Sequence, residues 1–221
     1  MSNQVKAVIF DQDGLMFDTE RVSAEAWHIA GEELGIYLEE SFLCTIRGMN
    51  YDDSTRRFRE VFGEMECYDL LRKRKKEVFL KLLEERGVPV KPGLKELLAY
   101  LKMNGYGIAL ATASEKAYSL RNLREVGIEE YFDHITTGDM VEQAKPNPAI
   151  FWKAAEMLGE KPEHCLVLED SLNGVEAGIR GGFVTVMVPD LTQPGEEVRR
   201  RVTAVCGSLL EVKKLLEQEK L

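Results

Sequence analysis

Two aspartates, Asp11 and Asp13, close the apolar run 5–10, and Gly14 follows at once. Such a run, without polar alternation, predicts a strand buried on both faces, so its end holds the two carboxylates at the rim of a core. Gly14 lets the backbone bend tightly there. Carboxylates this close disfavour each other's charged form unless a cation, a lysine or backbone N–H groups offset them. Suitable partners recur further along. Thr112 and Ser114 follow the apolar run 107–111, Lys145 sits in the loop 138–148 beside Pro146 and Pro148, and Glu169 and Asp170 follow the run 165–168.

These residue types suit phosphoryl transfer. A carboxylate at Asp11 can attack phosphorus and form an aspartyl-phosphate, dividing one transfer into two displacements. Asp13 can protonate the departing oxygen and then deprotonate the attacking water or alcohol. Magnesium, which favours oxygen ligands, would be held by Asp11, the backbone carbonyl of Asp13, Asp170 and Glu169, the last directly or through water. Thr112, Ser114 and Lys145 would hold phosphoryl oxygens, and Lys145 could instead neutralise the nucleophile. Each group alone also has an ordinary role: a turn for the Asp pair, a helix cap for Thr112 or Glu169–Asp170, an exposed loop lysine for Lys145. Their recurrence in order, each after a predicted strand, is what points to a site.

The elements that must position them fall into two kinds. Residues 18–88 read as helical, with apolar spacing at Val22, Ala26, Ile29, Ala30 and Leu34 up to Gly35, and further helices over 51–62 and 68–86. Pro89, Pro92 and Gly93 mark the return. Strand and helix then alternate to the end: strands near 107–111, 134–137, 165–168, 183–188 and 203–205, with helices over 115–126, 149–158, up to 180, and 208–219. That alternation predicts an α/β fold with a mainly parallel sheet covered by helices, its ligands beyond the C-terminal strand ends. The expected organisation is a core of 1–17 and 89–221 with 18–88 inserted as a small lobe.

Composition narrows the partners. The 221 residues are 44% hydrophobic and 30% charged, as in ordered soluble proteins, and the formal charge of −9 argues against a nucleic-acid surface. The basic run 72–76, interrupted downstream by Glu77, Glu84 and Glu85, reads as a solvated helix face, although one of its cations could attract a phosphorylated substrate. Cys44, Cys67, Cys165 and Cys206 form no CxxC pair and read as reduced thiols. With no signal-peptide pattern and no membrane-length apolar stretch, the expectation is a cytoplasmic monomer without nucleic-acid or membrane partners. His28, His134 and His164 fit no metal or triad pattern, and Trp27 and Trp152 read as packing residues. The interval 174–182, rich in glycine, reads as tightening helix–strand packing.

The motifs resemble the haloacid dehalogenase-like phosphotransferase superfamily, in particular its small-cap group of beta-phosphoglucomutases and small-metabolite phosphatases. Asp11-Gln12-Asp13-Gly14 resembles its DxDG signature, Thr112-Ala113-Ser114 its second motif, Lys145-Pro146-Asn147-Pro148 its lysine motif, and Glu169-Asp170-Ser171 its acidic motif. The resemblance implies a Rossmann-like core with an inserted movable cap, and magnesium-dependent transfer through Asp11. It also implies acid/base work by Asp13, phosphate contacts by Thr112 and Lys145, and metal assistance by Asp170 and Glu169. In the cap, Asp18-Thr19-Glu20 resembles the entry segment, Arg47-Gly48 the substrate loop, and Lys75 a lysine facing substrate. Two positions depart from the mutase pattern: Ser23 stands where a cap histidine is usual, and Tyr51 where an arginine grips a distal phosphate. Expected, then, is a phosphatase of sugar or polyol monophosphates, with a phosphohexomutase as the alternative. A non-enzymatic phosphoacceptor domain fits less well, given the Asp11–Asp13 pair and the long helical insertion. An EF-hand loop opened by Asp11 fails because Met16 would occupy its glycine position.

Overall fold

The computed structural model describes residues 5–46, 51–63 and 68–221. The apolar run after Val5 becomes strand β1 (Ala7–Phe10), whose four side chains are all buried. It starts two residues later than the run, although Lys6 already donates its N–H to the His164 carbonyl. Then come the helices α1 (Thr19–Glu33), α2 (Glu40–Ile46), α3 (Tyr51–Phe62) and α4 (Tyr68–Arg86). The remainder alternates: α5 (Leu94–Met103), β2 (Gly107–Thr112), α6 (Lys116–Val126), β3 (His134–Thr137), α7 (Ala149–Leu158), β4 (Cys165–Glu169), α8 (Leu172–Arg180), β5 (Val184–Met187), α9 (Glu196–Arg201), β6 (Ala204–Val205) and α10 (Leu209–Glu217). The chain divides into two compact units, Met1–Phe17 with Val90–Leu221, and Asp18–Pro89.

In the first unit the described strands form one six-stranded parallel sheet in the order β3-β2-β1-β4-β5-β6. Parallel strands need crossovers, and helices on both faces bury the sheet, which explains the continuous apolar runs. The most buried run is central: β1 lies between β2 and β4, with Phe10 opposite both Leu110 and Leu168. One cluster under the sheet joins Ala7, Ile9, Ala109, Ala111 and Val167 to Phe151 and Ala154 of α7. Because β1, β2 and β4 run the same way in adjacent positions, Asp11, Thr112 and Glu169 all emerge at one edge.

Among the described residues of the second unit the regular elements are all helices. Its core gathers Ala30, Leu38, Phe42, Leu43, Phe58 and Tyr68, with Phe42 set edge-on to Phe58 at 4.6 Å between centroids. Arg74 and Arg86 of α4 form ion pairs with Glu33 and Glu25 of α1.

Three expectations need correction. Helix α9 falls in a stretch given no element, because at six residues it is too short for apolar spacing to stand out, whereas α2 lies within the region expected to be helical. Glu169 is the last residue of β4, not part of its exit. Trp152 is 48% exposed, and its Nε1–H donates to the Gly181 carbonyl, so it ties α7 to the end of α8 from the surface. The glycines of α8 do tighten packing as expected: a Cβ on Gly178 would lie 2.7 Å from the Thr185 hydroxyl.

Candidate active site

Asp11 follows directly on β1, its N–H bonded to the Leu168 carbonyl of β4 at 3.1 Å. Its side chain is 10% exposed and meets the Lys145 ammonium at 2.6 Å. The same Nζ lies 2.7 Å from Glu169 Oε1 and donates to the Ala111 carbonyl at 3.3 Å, next to Thr112. Lys145 belongs to the loop before α7, where the Lys145–Pro146 peptide is cis, and the ammonium also sits over the Phe151 ring at 4.8 Å from its centroid. One cation thus bridges two buried carboxylates, one following β1 and one ending β4.

The remaining oxygen of Glu169 is also engaged. Oε2 accepts the backbone N–H groups of Asp170 and Ser171 and the Ser171 hydroxyl, each at 3.0 Å. Ser171 is the N-cap of α8, its Oγ accepting the Gly174 N–H at 3.1 Å. A side chain on Gly174 would strike this carboxylate, since its Cβ would lie 1.8 Å from Glu169 Oε1. Glu169 is therefore a junction that ties β4, the α8 N-terminus and Lys145 together.

Burial and charge act together at the cluster. Burial is the largest influence on Asp11 and pushes its carboxyl up to about 8, with Glu169 adding to that and Lys145 opposing it. Burial pulls the Lys145 ammonium down, but Asp11 and Glu169 outweigh it and hold the group above its ordinary value. Asp11, Glu169 and Asp170 bring carboxylate oxygens within 4.8 Å of one another, and all three residues are buried. The Lys145 ammonium pairs with two of the three, Asp11 and Glu169, and the cluster of carboxylate oxygens is of the kind that a divalent ion binds. The donor set is all oxygen, which suits a hard cation such as magnesium. Gly14 shapes the same spot: its φ is +90°, and a Cβ there would lie 2.1 Å from Asp170 Oδ2. The residues present fit the metal.

Asp13 is held apart from this cluster by hydroxyls. Ser114 Oγ donates to its Oδ2 at 2.7 Å and Tyr118 OH to its Oδ1 at 2.9 Å, while Gln12 Nε2 donates to Oδ2 at 3.2 Å. Ser114, expected on phosphate, therefore spends its hydroxyl on Asp13, and its N–H is held by Thr112 Oγ1 at 3.1 Å. Thr112 is buried at the end of β2, and its oxygen accepts that bond while keeping its own proton to give. Tyr118 was not singled out from sequence, because a tyrosine on an amphipathic helix reads as packing. The cap candidates are less defined. Arg47 lies outside the described residues, as does the Tyr51 side chain, although Tyr51 opens α3. Lys75 of α4 places its ammonium 5.5 Å from the Trp27 ring centroid and 4.8 Å from that of Phe79, both in its own unit.

Fold and site together define a parallel α/β protein with an acidic strand-end centre organised by a buried lysine. The family model for haloacid dehalogenase-like hydrolases matches residues 5–182, and the chain belongs to that family. A phosphorylated carbohydrates phosphatase of Thermotoga maritima is 34% identical over 183 residues, covering 81% of this chain and 82% of its own. Among solved structures, a beta-phosphoglucomutase from Clostridium difficile matches with a TM-score of 0.81 at 26% identity, covering 98% and 97% of the two chains. CbbY from Rhodobacter sphaeroides, solved with phosphate, matches with a TM-score of 0.79 at 27% identity over 95% and 96%. Among the described residues no helix is long and apolar enough to cross a membrane.

Proposed function

We propose that this chain is a magnesium-dependent phosphatase of small phosphorylated metabolites, with sugar or polyol monophosphates as its substrate class and Asp11 as its nucleophile. The chain is a phosphoric monoester hydrolase; family membership and the similarity to a carbohydrate phosphatase support this. The observation that carries the finer reading is the buried Asp11–Lys145–Glu169 bridge beside Asp170 at the C-terminal edge of β1 and β4.

In the first displacement an Asp11 carboxylate oxygen bonds to phosphorus as the ester P–O bond breaks. The departing alcohol oxygen takes a proton from Asp13. In the second, Asp13 takes a proton from water, which attacks the aspartyl-phosphate and frees Asp11 and inorganic phosphate. Lys145 holds Asp11 oriented and offsets negative charge, and Thr112 has a hydroxyl proton for a phosphoryl oxygen. Asp11, Asp170 and the Asp13 carbonyl would hold magnesium, with Glu169 positioning them. When bound, the ion supplies charge neutralisation between the nucleophile and the phosphate dianion. Selectivity for the organic part of the substrate is assigned to the inserted helical region 18–88, with Arg47, Tyr51 and Lys75 as candidate contacts.

The similarity to a beta-phosphoglucomutase favours one second reading, a phosphohexomutase. Ser23 and Tyr51, standing where the mutase pattern has histidine and arginine, speak for hydrolysis, because a mutase must retain and reorient a bisphosphorylated intermediate. The deciding experiment is a product assay with beta-glucose 1-phosphate and magnesium, with and without glucose 1,6-bisphosphate. Free phosphate as the dominant product supports the phosphatase, and efficient formation of glucose 6-phosphate supports the mutase. Asp11→Asn should reduce either turnover by about 10³-fold or more. Unchanged turnover in that variant would end the nucleophile assignment.

A further inference from the structure

We infer that Tyr118 is a positioning residue for the acid/base carboxylate, aiming Asp13 at the departing oxygen of the substrate. This rests on the reading of Asp13 as acid and base given above.

The geometry is a two-point hold. A carboxylate on two side-chain torsions is fixed in direction only when both oxygens are anchored from separate places. Here Tyr118 OH holds Oδ1 at 2.9 Å and Ser114 Oγ holds Oδ2 at 2.7 Å, with Gln12 Nε2 supporting Oδ2 at 3.2 Å. The two hydroxyls come from different supports. Ser114 sits in the exit of β2, its N–H fixed by Thr112 Oγ1. Tyr118 is the third residue of α6, a helix pressed down by Ser119, Asn122 and Leu123, all buried. A phenol has two torsions before its hydroxyl and reaches Asp13 from a rigid helix, so it fixes the carboxylate with little freedom of its own. Gln12 is fully buried between Asp11 and Asp13, and its Oε1 has no hydrogen-bond partner. Such a cost is expected where an amide is kept for the one bond its nitrogen makes.

The chemical consequence is specific to one step. When the Asp11 oxygen bonds to phosphorus, the electron pair of the breaking ester bond stays on the alcohol oxygen, which takes its proton from Asp13. Tyr118 exchanges no proton in this step; it keeps the acid pointed. An alkyl alcohol departs poorly without that proton, whereas p-nitrophenolate departs without it. Loss of the Tyr118 hydroxyl should therefore be felt in proportion to the basicity of the leaving group.

The test compares wild-type, Tyr118→Phe and Asp13→Asn chains, all loaded with magnesium, across phosphate monoesters from p-nitrophenyl to alkyl. The readout is the slope of log kcat/KM against leaving-group pKa. Tyr118→Phe should lower kcat/KM for alkyl esters by about 10-fold to 100-fold, the worth of one hydrogen bond to a charged group, and leave the p-nitrophenyl ester nearly unchanged. That retained aryl turnover also shows that the variant is folded. Equal losses for all esters, or no loss for any, overturn the role of Tyr118. If Asp13→Asn steepens the slope and Tyr118→Phe does not, the acid/base reading stands and only the positioning role falls. If Asp13→Asn keeps the wild-type slope, the Asp13 reading fails and the inference fails with it.

Discussion

Lys145 shows how much one side chain can hold. It faces Asp11 and Glu169 at 2.6 and 2.7 Å with only 9% of its side chain exposed. Removing one partner of a buried ionic group costs far more than the pair is worth, because the remaining charges stay desolvated. Lys145→Met should therefore destabilise the protein by about 3 kcal/mol, measured by denaturant unfolding, and cut turnover by about 10²-fold or more. Adding Asp11→Asn to that variant should return part of the stability though none of the activity, since it removes one of the stranded carboxylates. Gly14 makes the same point about space. An alanine there would carry its Cβ to 2.1 Å from Asp170 Oδ2, on a backbone with φ of +90°. Gly14→Ala should cost about 1–3 kcal/mol of stability and weaken magnesium binding, read by titration calorimetry, as Asp170 is pushed aside.

At the scale of elements, a loop carboxylate continues the β2–β3 pairing beyond its strands. The Asp133 N–H donates to the Ile108 carbonyl at 2.8 Å, and the Ile108 N–H donates to Asp133 Oδ2 at 2.9 Å, just before the pairing of Ala109 with His134 begins. Burial pushes the Asp133 carboxyl up, but the Ile108 N–H and the Lys102 ammonium outweigh it and hold it below its ordinary value. A carboxyl depressed on folding adds stability that is present above its unfolded pKa, about 3.9, and lost as pH falls through the folded value. The gap in unfolding midpoint between wild type and Asp133→Asn should accordingly be widest above pH ~4 and close toward lower pH. A gap independent of pH would show that the backbone bond, not the charge, sets this register. Ser171 links cap to site in a comparable way. Ser171→Ala should cost about 1 kcal/mol as an N-cap and also free Glu169, so its turnover should fall more than that of an ordinary cap variant.

For the whole molecule, the proposed metal site makes a prediction about stability. Asp11, Glu169 and Asp170 bring buried carboxylates together, and a divalent ion that binds them only in the folded state must raise the unfolding midpoint. Magnesium at about 100 times its Kd should add about 2.7 kcal/mol, and Asp170→Asn should abolish that increment while chelation abolishes wild-type turnover. Much of this was legible before the fold. The strand-end acids, the threonine, the lysine and the alternating strands and helices are local patterns, because a parallel strand buried on both faces must be continuously apolar and its end must turn polar. That determined the α/β class, the family resemblance and the candidate residues. Tertiary structure decided who meets whom. Lys145 reaches Asp11 across 134 positions, and Tyr118 reaches Asp13 across 105, only because parallel crossovers return every strand end to one edge. A tyrosine in an amphipathic helix carries no local mark of such a partner; its role comes from packing, which no short stretch of chain contains.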